Sequence, residues 1–147
     1  MYVSYFGIRV TDLARSVKFY TELFGLKVVR EGDMTLSGGG KYVLLKDRIS
    51  GQRLELNWYP KDSEFAVNYE PGEGLDHIGV KVDNVAEKIN ELRAKGVEII
   101  PLPRSLTEPD LGGDFTTHNG FVKDPDGNWI GLYDHSAPVG EYDSEMY

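Results

Sequence analysis

The sequence contains no cysteine, which excludes disulfide bonds, a thiolate nucleophile and cysteine-ligated metal sites. It also lacks an excess of positive charge, because 16 lysine and arginine residues stand against 24 aspartate and glutamate residues, for a net charge of −8. This balance argues against nucleic acid or an anionic membrane surface as a partner. It leaves room for an anionic small molecule held by one or two local cations.

Long apolar runs are missing as well. No stretch is apolar over the roughly 20 residues that a bilayer span requires, and the N-terminus has no basic-then-apolar signal pattern. We therefore expect a cytoplasmic protein without a membrane partner. At 147 residues the chain is long enough to form one domain with a sizeable core.

The sequence does contain an internal repeat. A strand pattern followed at once by a helix pattern occurs around residues 74–96 and again around 5–25, so that His77 matches Tyr5, 72 positions earlier. A second block repeats in the same order, because residues 45–56 match residues 122–132. Two agreeing blocks indicate a tandem duplication, and such a repeat is a strong guide to the fold.

Each half has the hydrophobic pattern of a βαβββ module, so the predicted fold class is α+β. The predicted modules are residues 3–59 and 74–134 of a single domain spanning 1–147, followed by an acidic C-terminal tail over 135–147. The helices are predicted over 13–24, capped by Asp12 or Thr11, and over 84–96, capped by Asn84. Gly25 and Gly96 follow the last apolar turns, where a helix end often needs positive φ. The predicted strands are 5–10, 27–31, 34–37, 42–46, 53–59, 77–82, 97–101, 116–123 and 128–133. Residues 103–114 are expected to form a long loop, either a functional lid or a mobile segment.

Alternation along the strands predicts one apolar face on each sheet, for its helix, and one polar face. We expect the two sheets to curve towards each other and to enclose the polar faces in a ligand-binding cleft. The side chains on the polar faces are those of Tyr5, Arg9, Glu55, Asn57, Tyr59, His77, Lys81 and Tyr133.

Several runs of residues resemble the vicinal oxygen chelate superfamily, which includes glyoxalase I, the fosfomycin and bleomycin resistance proteins and the extradiol dioxygenases. The resemblance covers about residues 4–134. It implies paired βαβββ modules, a homodimer, and a divalent metal between the modules (zinc, nickel, manganese or iron). The runs that carry it are Ile8-Arg9-Val10-x-Asp12-Leu13-x-x-Ser16-x-x-Phe19-Tyr20, Leu54-Glu55-Leu56, Asp76-His77-Ile78 and Phe121-Val122-Lys123-Asp124-Pro125-Asp126-Gly127-Asn128.

The metal site that the resemblance implies is incomplete in this sequence. Its four ligand positions fall on Tyr5, Glu55, His77 and Gly131, of which only Glu55 and His77 match the glyoxalase pattern. A neutral phenol is a poorer ligand than imidazole, glycine has no side chain, and a catalytic zinc site normally uses three protein ligands. Among the other histidines, His135 lies about 13 Å further along the strand than Gly131, and His118 cannot be assigned to a position in the site.

Glu55 and His77 are therefore the candidate catalytic residues and the candidate metal ligands. Candidate substrate-binding residues are Arg9, which matches an arginine that contacts an anionic part of the substrate in glyoxalases, and Tyr5, Asn57 and Tyr133. We expect Glu55 and His77 to lie close together, with Tyr5 beside them and open space over Gly131.

Each candidate also has a structural explanation. Glu55 could be paired with Arg9 or Arg53, because buried charges are normally paired, and His77 could be a structural histidine. Five aromatic residues are expected to be mainly core, although the tyrosines among them could line a pocket: Tyr5, Trp58, Tyr59, Trp129 and Tyr133. Residues 124–127 are a turn motif, whose role is to make the turn.

Four functions follow. The preferred one is a glyoxalase-like, lactoylglutathione lyase-related enzyme that uses a divalent metal to act on a small oxygenated or thiol-conjugated substrate. The absence of a carboxylate at Gly131 counts against it, because glyoxalase I uses that residue as ligand and base. The alternatives are a metal-free enzyme with Glu55 and His77 as an acid–base pair, a ligand-sequestering protein of the bleomycin-resistance type, and a relative of the ring-cleaving dioxygenases.

Overall fold

The computed structural model describes residues 4–35, 39–66, 70–72, 74–101 and 119–134. The chain divides into two compact units, Met1–Glu73 and Gly74–Tyr147, which we call module 1 and module 2. The long loop predicted over 103–114, His118, His135 and the acidic tail lie outside the described residues.

Module 1 is a four-stranded sheet with one helix. Its strand order is β1-β4-β3-β2, with β1 parallel to β4 and the other neighbours antiparallel. Its elements are β1 (Phe6–Arg9), α1 (Leu13–Phe24), β2 (Lys27–Met34), β3 (Gly40–Lys46) and β4 (Arg53–Trp58).

Module 2 repeats this architecture. Its strand order is β5-β8-β7-β6, again with the first and last strands parallel. The prediction of two tandem βαβββ modules is confirmed. The elements of module 2 are β5 (Ile78–Lys81), α2 (Val85–Ala94), β6 (Ile99–Ile100), β7 (Asn119–Lys123) and β8 (Trp129–Tyr133).

The two modules also share their strand register. Gly7 on β1 pairs with Glu55 on β4, and Gly79 on β5 pairs with Gly131 on β8. These pairs are the ones that the sequence repeat matches with each other. Glu55 and Gly131 are therefore structural equivalents within their modules.

Helix α1 has the predicted bounds, whereas α2 begins after its predicted cap Asn84 but ends at Ala94, two residues before Gly96. The side chain of Asp12 accepts a hydrogen bond from the Arg15 backbone N at 3.0 Å, and that of Asn84 accepts one from the Glu87 backbone N at 2.9 Å. After the last turns, Gly25 has φ of 71° and Gly96 has φ of 79°. Only glycine adopts this conformation without a steric cost, so the two glycines stop the helices.

Each module has its own apolar core between the helix and one face of the sheet. In module 1, α1 packs on β2, β3 and β4, and in module 2, α2 packs on β7. Burial of one aliphatic side chain stabilises the folded state by about 1.5–3 kcal/mol. The buried apolar residues are Ile8, Val10, Tyr20, Val43, Leu45 and Leu56 in module 1, and Val85, Ile89, Leu92, Ile100, Val122, Ile130 and Leu132 in module 2.

Three local expectations were wrong. Residues 27–34 form one continuous strand instead of two, because Gly32 and Asp33 also pair with β3, opposite Tyr42 and Lys41. Alternation along β1 predicts Phe6 on the apolar face together with Ile8, but Phe6 is 60% exposed in this edge strand. Trp129, predicted to be core, is 41% exposed because its face of the sheet is the one without the helix. None of the described helices is long and apolar enough to cross a membrane.

Candidate active site

The polar face of module 1 is organised around Gly7. A Cβ placed at Gly7 would lie 3.0 Å from Asn57 Nδ2 and 4.0 Å from Glu55 Oε1. Because Gly7 has no side chain, the polar ends of Glu55 and Asn57 reach over β1 and share the space above it. Both side chains are half-buried. The structure thus brings together two of the predicted site residues, a carboxylate and an amide.

Arg9 does not neutralise Glu55. The Arg9 Nη1 donates a hydrogen bond to the Phe65 carbonyl, and its guanidinium lies 5.0 Å from the centre of the Tyr59 ring. Tyr59 in turn stacks on Phe65, with ring centres 5.8 Å apart. Within the described part of the chain, Glu55 forms no ion pair with Arg9, Arg53 or any other residue. The structural explanation for Glu55, an ion pair with one of these arginines, is therefore not found there.

Tyr42 is a further polar residue of this face that sequence analysis missed. It pairs with Asn57 across β3 and β4, so the two side chains share a face, and its hydroxyl lies 3.0 Å from the Cβ position of Gly32. Alternation along β3 would have placed it there. Tyr5, just before β1, is 47% exposed.

The corresponding face of module 2 carries His77. The His77 Nδ1 lies 2.5 Å from an oxygen of the Asp76 carboxylate, and its ring meets Phe121 edge to face, with ring centres 5.5 Å apart. These contacts hold the imidazole from two sides. The His77 side chain is still 43% exposed, so its remaining nitrogen, Nε2, belongs to a ring that solvent and ligands reach.

The expected open space over Gly131 is not there. A Cβ at Gly131 would lie 3.0 Å from Phe121 Cε1 and 3.2 Å from His77 Cδ2. Both distances are tighter than ordinary van der Waals contact, so the two rings already fill the volume that a side chain would need. The prediction failed because it treated Gly131 alone and ignored the residue paired with it on β7, which is Phe121.

Aromatic residues surround this position. Phe121 lies 5.8 Å from Trp129, ring centre to ring centre, and Tyr133 Cε1 lies 3.7 Å from the Cβ position of Gly79. Tyr133 therefore leans over the glycine of β5, as Asn57 leans over Gly7. This places Tyr133, a predicted substrate-binding residue, on the same face as Gly131.

Asp76 was also missed by sequence analysis. The period of two along a strand would place neighbouring residues on opposite faces. Asp76 and His77 precede β5, which begins at Ile78, so their side chains are free of that constraint and meet. The available signal was an acidic residue directly beside a candidate histidine at a strand start.

The donor set does not fit the four-ligand metal centre of the family resemblance. At the four positions, module 1 offers the Glu55 carboxylate and the Tyr5 phenol, while module 2 offers only His77, because Gly131 has no side chain. Among the described residues of either module, no three His, Asp or Glu side chains form a metal-binding group.

Comparison with known proteins gives concordant results. The family described as the Glyoxalase/Bleomycin resistance protein/Dioxygenase superfamily matches residues 2–132. A probable lactoylglutathione lyase of Vibrio cholerae is 35% identical over 131 residues, covering 85% of this chain and 84% of that protein. A probable chloroplastic lactoylglutathione lyase of Arabidopsis thaliana is 33% identical over 128 residues, covering 81% of this chain but 31% of that protein. This chain thus spans most of the bacterial relative and about a third of the plant one.

The solved structures agree with the sequence relatives. The trypanothione-dependent glyoxalase I of Leishmania major superposes with a TM-score of 0.70 and 29% identity, covering 99% of this chain and 96% of that one. The family resemblance predicted from the motifs is confirmed.

Proposed function

We propose a reaction for this chain on the premise that it belongs to the Glyoxalase/Bleomycin resistance protein/Dioxygenase superfamily and is glyoxalase-like in sequence and fold. The reaction is the isomerisation of a small thiol-conjugated substrate, of which lactoylglutathione, in the names of the relatives, is the first to test. The observation that carries the proposal is the pair Glu55 and His77. Each lies on the helix-free side of its own module. Within the part of the chain that the structure describes, Glu55 forms no ion pair and His77 pairs only with Asp76.

The proposed chemistry is proton transfer between adjacent carbons. Glu55 removes a proton from the carbon beside the carbonyl, an enediol forms, and the proton returns to the neighbouring carbon. His77 exchanges a proton with the substrate oxygens through Nε2. A positioned acid or base of this kind contributes about 10²- to 10⁴-fold to a rate. We propose that Glu55 and His77 act on the same bound substrate.

Substrate recognition is assigned to the residues around these two. Arg9 supplies a positive charge for an anionic part of the substrate, such as a carboxylate of a peptide thiol. Its guanidinium is already oriented by Tyr59 and the Phe65 carbonyl, so binding costs little further ordering. Asn57, Tyr133 and Tyr5 complete the lining in this proposal.

No step is routed through a divalent ion, because the donors at the four family positions do not fit one. The resemblance implies zinc, nickel, manganese or iron. Elemental analysis of the purified protein tests this directly: a stoichiometric divalent ion would overturn the metal-free form of the proposal.

The assay follows lactoylglutathione and the hemithioacetal of methylglyoxal with glutathione, with and without a chelator. Turnover by the wild type is expected to fall about 10²- to 10⁴-fold in Glu55→Gln and in His77→Gln. Glu31→Gln, an exposed carboxylate on β2, is the matched control and should retain full activity. If both site variants stay fully active, Glu55 and His77 do not carry the reaction.

A second candidate is ligand sequestration without chemistry. It is favoured by the missing carboxylate at Gly131 and by the exposed Trp129 beside Phe121, a surface suited to an aromatic ligand. Equilibrium dialysis with bleomycin would support it if binding is tight and no thiol conjugate is turned over.

A homodimer is also proposed, because the family resemblance implies one. Sedimentation of a monomer at micromolar concentration would reject it. A cytoplasmic location stays a prediction, which cell fractionation tests.

A further inference from the structure

His77 is held by two neighbours with different roles. Asp76 contacts Nδ1, and Gly131 lies under the other side of the ring, where Cδ2 is 3.2 Å from its Cβ position. We infer that Asp76 and Gly131 are positioning residues for His77: Asp76 fixes the tautomer of the imidazole, and Gly131 supplies the space over β8 in which Nε2 is presented. This inference rests on the proposed role of His77.

The role of Asp76 follows from hydrogen-bond chemistry. A carboxylate only accepts hydrogen bonds, so Nδ1 of a neutral imidazole beside it must carry the proton. Nε2 then keeps its lone pair and can accept a proton or a hydrogen bond. The Asp76 side chain is 92% exposed, so its contact with His77 adds little to folding stability. Its main effect is to orient the imidazole.

The role of Gly131 follows from packing. Nε2 is covalently bonded to Cδ2, so it lies one bond from the ring atom that covers Gly131. Any side chain at this position would press on His77 Cδ2 and on Phe121 Cε1, which is 3.0 Å away. Glycine therefore lets the imidazole lie across β8 against Phe121.

The neighbouring strand offers a matched control. Gly79 pairs with Gly131 in the β5–β8 register and lies on the same face, but a Cβ there would meet only Tyr133 Cε1, at an ordinary 3.7 Å. An alanine at Gly79 should therefore be accommodated, whereas an alanine at Gly131 should displace the His77 ring.

The test is nitrogen NMR of the histidine rings in the full-length protein, above about pH 8, where an ordinary imidazole is neutral. The chain has 3 histidines, so the spectrum of His77→Gln assigns the His77 signals. The expected wild-type state is Nδ1–H with an unprotonated Nε2. Asp76→Ala should abolish this preference, while Asp83→Ala, which removes another exposed carboxylate of module 2, should leave it intact. A wild type with its proton on Nε2, or an unchanged Asp76→Ala spectrum, overturns the inference.

Gly131→Ala should shift the His77 and Phe121 ring signals and weaken the Nδ1–H preference, and Gly79→Ala should do neither. Equal spectra for the two alanine variants would reject the role of Gly131. These measurements need no substrate, so they stand if the proposed reaction fails. In an active enzyme, Asp76→Ala should in addition lower kcat about 10- to 100-fold at an unchanged thermal midpoint, the range known for residues that orient a functional histidine.

Discussion

The His77 imidazole lies over Gly131, with its Cδ2 3.2 Å from the position that a Cβ of residue 131 would take. In module 1 the equivalent of Gly131 is Glu55, whose carboxylate lies over Gly7. The duplicated strands have therefore diverged in chemistry while keeping their register. β4 presents Arg53, Glu55 and Asn57 on the helix-free face, and β8 presents Trp129, Gly131 and Tyr133.

The first prediction concerns cooperation between the two modules. If Glu55 and His77 act on one substrate, Glu55→Gln and His77→Gln should each lower kcat/KM by about 10²- to 10⁴-fold, and the double variant should be little worse than the poorer single one. When two residues act together in one step, replacing either one already removes their joint contribution to the rate, so replacing the second adds little. Losses that multiply in the double variant would show that the two residues act independently.

The second prediction concerns restored metal donors. Tyr5→His with Gly131→Glu places imidazole and carboxylate donors at the two family positions that lack them. Because Phe121 and His77 crowd position 131, the gain in zinc or nickel affinity should be larger when Phe121→Ala is added. Calorimetry should show at least a roughly tenfold gain, about 1.4 kcal/mol, in the triple variant. No gain in a folded protein would mean that these positions do not converge.

The third prediction concerns Arg9. Arg9→Ala should raise KM for an anionic thiol conjugate by about 10- to 100-fold, because a hydrogen bond to a charged group contributes about 1.5–3 kcal/mol. kcat should change less, since the role proposed for Arg9 is substrate binding and not proton transfer. Arg48→Ala, which removes an exposed arginine from a turn, is the control for lost charge. An unchanged KM in Arg9→Ala would remove Arg9 from the site.

The fourth prediction concerns the buried turn of module 2. The Asp124 carboxylate accepts hydrogen bonds from the Asn128 backbone N at 2.8 Å, Asn128 Nδ2 at 2.9 Å and the Asp126 backbone N at 2.9 Å. Asp124 is 4% exposed and Asn128 is 2% exposed. If the Asp124 carboxylate is removed, these donors lose their acceptor at a place that water reaches poorly. Asp124→Ala should lower the free energy of unfolding by about 3 kcal/mol in urea. Asp47→Ala, in the more exposed equivalent turn, should cost about 1 kcal/mol.

The fifth prediction concerns acid stability. Hydrogen bonds from Lys88 and Lys95 lower the pKa of Glu91 from 4.5 to about 2. The stabilisation by Glu91 is therefore fully present above pH 4.5 and is lost as the pH falls from 4.5 towards 2. The effect should be small and weakened by salt, because the Glu91 side chain is 43% exposed. A carboxyl NMR titration of Glu91 checks the pKa, and a midpoint near 4.5 would contradict it. In denaturation, Glu91→Gln should be less acid-sensitive than the control Glu22→Gln.

The sequence by itself determined the repeat, the βαβββ order and the helix ends. These features depend on local signals: apolar residues at the period of a helix or a strand, a capping side chain at Asp12 or Asn84, and glycine at positions 25 and 96. Because the two halves carry the same signals, the equivalence of Glu55 and Gly131 was also readable from the chain. Whether Glu55 and His77 converge stays a prediction.

Only the tertiary structure decided what the site residues touch. Arg9 bonds to Phe65, 56 residues away, and Phe121 reaches over Gly131 from the adjacent strand. The Asp76 carboxylate contacts the His77 ring because both residues come before β5 and are not held on opposite faces of the sheet. Such contacts depend on the direction and volume of side chains in three dimensions. A period of two or of 3.6 along the chain assigns a residue to a face but leaves open which neighbour fills the space beside it.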